Sequence, residues 1–163
     1  MRSITEKQLR SCFVNASLRE RNALTLPDGF DGLKWDDLDY LGWRDRKSPQ
    51  LGYVVVDLDD GPVGIMLRRS DGAARTRPQC AWCEDVHLPN EVLFFSAKRA
   101  GQAGRNGNTV GTLVCAQFQC SANVRKRPPV AYIGFDVEAA RRGRIETLRE
   151  KVRNFAATVM KEG

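Results

Sequence analysis

Apolar residues near both ends of the chain recur at steps of three and four, the period of an amphipathic helix. The first such face is formed by Leu9, Cys12, Phe13 and Ala16. Ser3 and Glu6 have the spacing of a capping box, which predicts a helix over about residues 4–17. The last stripe is formed by Ile145, Leu148, Val152, Phe155 and Val159, with Asp136 able to cap the helix. This stripe favours docking on a sheet over lying on a membrane surface.

Short β-branched and apolar runs between these helices predict antiparallel hairpins. The first hairpin has strands over residues 53–58 and 63–67, joined by the turn-forming residues Asp59-Asp60-Gly61-Pro62. The second has strands over residues 92–97 and 110–114. The predicted fold class is therefore α+β, with antiparallel hairpins and flanking N- and C-terminal helices.

The remaining segments give weaker patterns. Residues 35–45 mix two Trp residues with four acids and predict either a helix or a loop. Residues 68–77 are polar and predict a loop, and the Gly-rich residues 101–108 predict a flexible loop. Residues 132–135 predict one more strand, and Cys120 is placed in a short helical turn that Pro128-Pro129 ends.

Composition limits the classes of protein to consider. A chain of 163 residues with 42% hydrophobic residues suits one ordinary globular domain or two small ones. It has no apolar run long enough to span a membrane, and its start has no apolar stretch fit for a signal peptide. We therefore expect a cytoplasmic protein without a membrane partner. Thiols stay reduced in that compartment, so closely spaced cysteines favour metal over disulfides.

Four of the five cysteines form two close pairs. Cys80 and Cys83 are spaced for a knuckle turn, and Cys115 and Cys120 suit a strand end followed by the first turn of a helix. A hairpin of about 30 residues joins the pairs. Structural Zn²⁺ takes four such ligands in a closed tetrahedron. Knuckle, hairpin and ligand-bearing helix together predict a treble-clef site for one structural zinc ion.

Other interpretations of these residues remain. Cys80 and Cys83 could form a thioredoxin-like redox pair, but a Pro and polar residues flank them instead of a strand and a long helix. Two disulfides would need an oxidising compartment. His87 could replace one cysteine ligand, although four cysteines already suffice. Cys12 lies on an apolar helix face, which favours a buried small hydrophobe.

Patterns typical of catalysis are weak. The chain has one histidine. Asp57, Asp59 and Asp60 flank a turn, where Asp is favoured in any case. The Gly-rich segment lacks the Gly-Lys-Ser/Thr ending of a phosphate-binding loop. A closed four-thiolate site also has no free coordination position to activate water. The sequence therefore predicts a protein that is not an enzyme.

The net charge of +6 is concentrated in one part of the chain. No acidic residue occurs between Glu91 and Asp136, and that window holds Lys98, Arg99, Arg105, Arg125, Lys126 and Arg127. A localised basic surface suggests an anionic partner, either nucleic acid or an acidic protein. The alternative is a solvated basic face that offsets the net charge of about −2 on a zinc ion with four thiolates.

The two cysteine spacings, the basic hairpin between them and the closing helix resemble the C-terminal zinc domain of elongation-factor-G-binding proteins. That family includes the FusB-type fusidic-acid resistance proteins. The segment 35–43 and the residues Gly61-Pro62-Val63-Gly64 also resemble that domain, so the resemblance extends over nearly all of residues 1–163. It implies a single domain with a helix and hairpin subregion over about 1–77 and a treble-clef zinc lobe with its C-terminal helix over about 78–163.

The resemblance implies a non-enzymatic role: binding elongation factor G and helping to free it from the ribosome when fusidic acid has trapped it. The four cysteines correspond to the zinc ligands. The resistance proteins also carry an N-terminal helical bundle, whereas this chain has room for one short helix there, so drug protection does not follow from the resemblance.

For partner binding we expect aromatic anchors at Trp82, Phe118 and Tyr132, which could equally pack around the zinc lobe. The six basic residues of the acid-free window would steer an acidic partner. The rival hypothesis is a nucleic-acid-binding zinc module that contacts ribosomal RNA, since basic residues interleaved with aromatics suit that role too. A purely structural role is a further alternative.

Overall fold

The computed structural model describes residues 1–70 and 78–161. These residues form a five-stranded antiparallel sheet whose strands neighbour one another in chain order. The strands are β1 (Leu41–Arg44), β2 (Leu51–Leu58), β3 (Gly61–Arg69), β4 (Val92–Lys98) and β5 (Thr109–Cys115). The helices are α1 (Glu6–Ser11), α2 (Leu18–Ala23), α3 (Gly101–Arg105), α4 (Cys120–Arg125) and α5 (Val137–Met160). The predicted α+β class is confirmed.

The predicted N-terminal helix over residues 4–17 is wrong in extent. The capping box is made by Thr5 and Gln8, not by Ser3 and Glu6, and α1 ends at Ser11. The chain then turns into a short bridge in which Phe13 pairs with Gly64 of β3. A second capping box starts α2, because Ser17 caps the helix and Glu20 reaches back to its amide. A tertiary strand contact therefore interrupts a pattern that looked continuous in the sequence.

Both predicted hairpins are confirmed, and each strand extends slightly beyond its predicted bounds. Two further predictions, one of a loop and one of a strand, are wrong. The segment expected to be a flexible loop contains α3, and a Cβ atom at Gly104 would lie 1.8 Å from the Arg99 carbonyl oxygen. Glycine is therefore required for that tight packing. Residues 132–135 form a turn instead of a strand, with the Phe135 amide donating to the Tyr132 carbonyl.

The polar segment predicted as a loop begins later than expected, because Arg68 and Arg69 still belong to β3. Its residues 71–77 lie outside the described part of the chain, and so does the predicted subregion boundary. The division at residue 77 stays a prediction. The sheet is continuous across this predicted boundary, because β3 before it pairs with β4 after it, at Arg68–Ser96 and Arg69–Phe95.

Strand β2 separates two hydrophobic cores. Tyr53 and Val55 pack with Leu9 and Phe13 under the N-terminal segment. Their neighbours Val54 and Val56 point to the opposite face and belong to the core that contains the four paired cysteines. Side chains alternate between faces along a strand, so β2 is buried on both sides.

Helix α5 covers the second face of the sheet. Asp136 caps it by accepting from the Ala139 amide, as the sequence predicted. Ile145 of the predicted apolar stripe packs against the core and is partly buried. The other four residues of the stripe are buried: Leu148, Val152, Phe155 and Val159. The helix lies against the sheet and the α4 segment, which brings it beside the cysteine pairs. Among the helices of the described residues, none has the length and apolarity needed to cross a membrane.

Candidate metal centre

Four cysteine sulfurs meet beneath α5, and all lie within 4.8 Å of one another. The Cys80 and Cys120 sulfurs are 3.7 Å apart, and the Cys83 and Cys115 sulfurs are 3.6 Å apart. A tetrahedral zinc ion with bonds of about 2.3 Å places its sulfur ligands roughly 3.7 Å apart. All four residues are buried. The four cysteines are thus positioned to bind one zinc ion, and the predicted zinc site is confirmed.

The first pair, Cys80 and Cys83, lies in a knuckle turn that precedes the loop before β4. The Cys83 amide donates to the Cys80 sulfur at 3.5 Å, and the Glu84 amide donates to the Cys80 carbonyl at 3.0 Å. Closing this turn puts Glu84 at φ 53°, in the left-handed region where a non-glycine residue is uncommon. The turn aims both sulfurs at one point.

The second pair joins a strand to a helix. Cys115 is the last residue of β5, and Cys120 is the first residue of α4. Between them the Phe118 amide donates to the Cys115 carbonyl at 2.8 Å, with Phe118 itself at φ 55°. This is the predicted strand end followed by a helical turn, and it completes the treble-clef arrangement.

The electrostatics of the four sulfurs call for a cation. Hydrogen bonds from Cys115, Cys120 and Cys83 lower the pKa of Cys80. The pKa of Cys120 is raised, because its side chain shares hydrogen bonds with Cys115, Cys80 and Cys83. The opposite directions arise because four buried thiols are crowded together, and a bound cation would allow all four to lose their protons. Zinc would supply that charge and hold the lobe together.

Asn123 supports the cluster from α4, one turn beyond Cys120. Its side chain is buried, and its amide nitrogen lies 3.4 Å from the Cys115 sulfur and 3.8 Å from the Cys83 sulfur. An N–H donor suits a thiolate, and such outer contacts orient metal ligands. No motif or periodic pattern in the sequence singles out this residue.

Two of the expected surface anchors are internal. Trp82 is 3% exposed and packs between Tyr40 and Phe155, with ring centroids 5.2 Å and 5.4 Å away. Phe118 is 4% exposed and packs on Phe95. The prediction that Trp82 and Phe118 are available as partner anchors is therefore wrong, because both aromatics fill the core beside the zinc site. Tyr132 is exposed, as an anchor must be.

Arg125 is also engaged within the chain. Its guanidinium lies 2.5 Å from the carboxylate of Asp39, which has no exposed side-chain surface. Arg149 of α5 binds the same carboxylate at 2.8 Å, and the Asp39 amide donates to Ser121 of α4. Asp39 thus ties the segment before β1 to α4 and α5. Sequence reasoning missed it because it stands in an irregular run of acids with no periodic pattern.

The remaining basic residues of the acid-free window form two separate groups. Lys98, Arg99 and Arg105 lie at the tip of the β4–β5 hairpin, where Arg99 donates to the Lys161 carbonyl beyond the end of α5. Lys126 and Arg127 are exposed near the start of α5, where Arg144 donates to the Lys126 carbonyl. Arg144 and Lys161 are roughly 25 Å apart at 1.5 Å per helical residue. The window therefore does not form one basic patch.

An apolar surface adjoins the second group. Val130, Tyr132 and Ile133 are all more than half exposed. The segment that precedes them borders a groove of about 530 Å³ lined by Val86, His87, Leu88, Lys126, Pro128 and Arg144, among others. We name the groove and residues 126–135 the zinc-lobe surface. His87 is exposed and lies outside the cysteine cluster.

Asp57 and Asp59, beside the β2–β3 turn, have structural partners. Asp57 accepts two hydrogen bonds from the Arg2 side chain and one from its amide, and Asp59 pairs with Arg153 of α5. These contacts hold the N-terminus and α5 to the hairpin.

Comparison with known proteins agrees with this geometry. The family model described as the FBP C-terminal treble-clef zinc finger matches residues 8–159, nearly the whole chain. No curated protein and no solved structure matched the chain. The family-level resemblance inferred from the cysteine spacings and the upstream segments is confirmed. With its four cysteines gathered into one zinc site, the chain belongs to the family of FBP C-terminal treble-clef zinc fingers.

Proposed function

We propose that this protein binds translation elongation factor G and promotes its release from the ribosome, as FusB-type fusidic-acid resistance proteins do. The observation that carries the proposal is the family match over residues 8–159. The protein acts without catalysis of its own and works in the cytoplasm, where the factor and the ribosome are found.

The zinc-lobe surface is the best-suited contact region. It combines exposed Tyr132 and Ile133 with Lys126 and Arg127, which form no ion pair within the described residues. Aromatic anchors set the lifetime of a complex, whereas exposed charges mainly speed encounter. The zinc site stands directly behind this surface, since Trp82 and Cys83 line the same groove. Metal binding would therefore keep the surface in shape.

Purified zinc-loaded protein and purified elongation factor G provide the test, with association and dissociation rates measured by surface plasmon resonance at several salt concentrations. Tyr132→Ala should raise the dissociation rate about 10-fold, because it removes an exposed aromatic anchor. Lys126→Glu combined with Arg127→Glu should lower the association rate, most strongly at low salt.

A control charge reversal at another place shows whether the position of the charges matters or only the net charge of the protein. Lys98→Glu combined with Arg105→Glu changes the charge equally at the far end of α5. If the zinc-lobe surface is the contact, this second pair of changes should lower the association rate less than the first. An equal or larger effect would move the contact to the hairpin tip, and absence of binding by the unmodified protein would refute the proposed function.

A further inference from the structure

Within residues 1–70 and 78–161, one face of the β4–β5 hairpin is open while its other face is in the core. Phe95 and Ala97 point inward and are fully buried. Their neighbours Phe94, Ser96 and Lys98 alternate with them and share the opposite face. Over β2 that same face is covered by the N-terminal core, but Phe94 is 44% exposed. The hairpin thus presents a partly exposed aromatic ring on this sheet face, which we name the Phe94 face.

Gly111 shapes this face. It stands opposite Ser96, diagonally across the strands from Phe94. A Cβ atom at Gly111 would lie 2.3 Å from Cζ of the Phe94 ring. The distal edge of the ring therefore rests on bare backbone, and any side chain at residue 111 would have to displace it. The Phe94 ring thus packs against the sheet at Gly111 and does not extend freely into solvent.

Cations and hydroxyls share this sheet face with the ring. Arg68 pairs with Ser96 across the β3–β4 junction, and Thr109 stands opposite Lys98. Arg68 and Lys98 are exposed. These residues line a cavity of about 170 Å³ together with Asn15 and Glu20. Glu20 is the acid of this rim, and its carboxylate accepts from the amide and hydroxyl of Ser17 at 2.7 Å each.

We propose that the Phe94 face binds single-stranded RNA, with a base stacked on the Phe94 ring and the flanking phosphates held by Arg68 and Lys98. An aromatic side chain on an open strand face offers a stacking platform for any base, and a basic groove beside it follows the backbone. β4 and β5 carry no acidic residue. Phe94 is the one large exposed apolar side chain on these two strands, so the face lacks the apolar core that a protein partner needs.

This proposal concerns a different surface from the zinc-lobe surface. Tyr132 lies in the turn before α5, whereas Phe94 lies on the sheet, and the two aromatics can be changed independently. Failure of RNA binding would leave the factor-binding proposal standing, and the reverse is equally true.

The experiment titrates zinc-loaded protein into a fluorescein-labelled oligouridylate and follows fluorescence anisotropy. Phe94→Ala should weaken binding about 10-fold, the loss typical of one stacked base. Phe94→Leu keeps apolar packing and should weaken binding similarly, whereas Phe94→Tyr should retain it. Gly111→Ala leaves every contacting side chain in place but displaces the ring, and it should also weaken binding.

Salt dependence tests the phosphate contacts. Each phosphate contact to a single strand contributes about 0.7 to the slope of log affinity against log salt. Lys98→Ala and Arg68→Ala should each lower that slope by about this amount. Tyr132→Ala is the matched aromatic control and should leave RNA affinity unchanged.

Three results would overturn the proposal: no saturable binding to the oligouridylate, equal affinity of the Phe94→Leu and unmodified proteins, or loss of RNA binding in Tyr132→Ala alone. If Phe94→Leu weakens binding to elongation factor G instead of RNA, this face is a protein contact.

Discussion

The two faces of the central sheet are stabilised in different ways, although β2 contributes alternate residues to both. The N-terminal face is covered by the chain before β1, including Leu9 and Phe13. The opposite face is covered by the cysteine knuckle, α4 and the long α5. The six-residue α1 of the first face is held by the burial of Leu9, whereas the six-residue α4 of the second face also carries Cys120 of the zinc site. We expect the metal ion to hold α4 in place, because so short a helix is not stable alone.

Several contacts join the N-terminal half of the chain to the zinc lobe. Strands β3 and β4 pair at two positions, and Asp39 links the segment before β1 to α4 and α5. Loss of the zinc lobe would nevertheless uncover Val54, Val56 and Leu67, which belong to the first hairpin. We therefore expect the two faces to be coupled in stability, with the metal side dominant.

The largest effect is expected for Cys115→Ser. Zinc should fall from one per chain to none, and the cooperative thermal transition should be lost, because structural zinc contributes about 10–16 kcal/mol in small zinc domains and a whole domain is stable by only about 5–15 kcal/mol. Elemental analysis and circular dichroism provide the measurements. Cys12→Ser is the matched control, since Cys12 lies outside the cluster, and it should keep its zinc. Full zinc content and an unchanged Tm in Cys115→Ser would exclude Cys115 as a ligand.

A smaller effect is expected when the N-terminal face is broken by Phe13→Ala. Phe13 is 1% exposed and packs edge to face on Tyr53 with centroids 5.8 Å apart. Removing a buried Phe costs about 3–5 kcal/mol. Urea titration should show this loss, while zinc stays at one per folded chain.

Phe94→Ala is the control for this change because its ring is partly exposed, and it should cost less than Phe13→Ala. Loss of zinc from folded Phe13→Ala would show that zinc binding also depends on the N-terminal face, contrary to this comparison.

The smallest effect is expected for the link between the two sides. Asp39→Asn keeps the side-chain size but removes the charge that holds Arg125 and Arg149, and we expect a loss of about 2 kcal/mol. Asp59→Asn removes a carboxylate that is 90% exposed and pairs with Arg153, so it should change stability by less than about 0.5 kcal/mol. Equal urea midpoints for the two variants would show that Asp39 is not a structural link.

The sequence by itself determined the metal site, both hairpins and the docked face of α5. Zinc ligand spacing and side-chain periodicity are local properties, so Cys80, Cys83, Cys115 and Cys120 could be grouped without knowing where the chain goes between them. The stripe from Leu148 to Val159 likewise follows from helical period alone.

Tertiary structure decided what lies between and around these elements. The bridge between Phe13 and Gly64 divided a helical pattern in two, and the close approach of Gly104 to Arg99 fixed a helix in a Gly-rich segment. Long-range packing also determined that Trp82 and Phe118 are internal and that Arg125 neutralises Asp39. Whether an aromatic or a charge faces solvent depends on segments far away in the chain, and no local spacing encodes that.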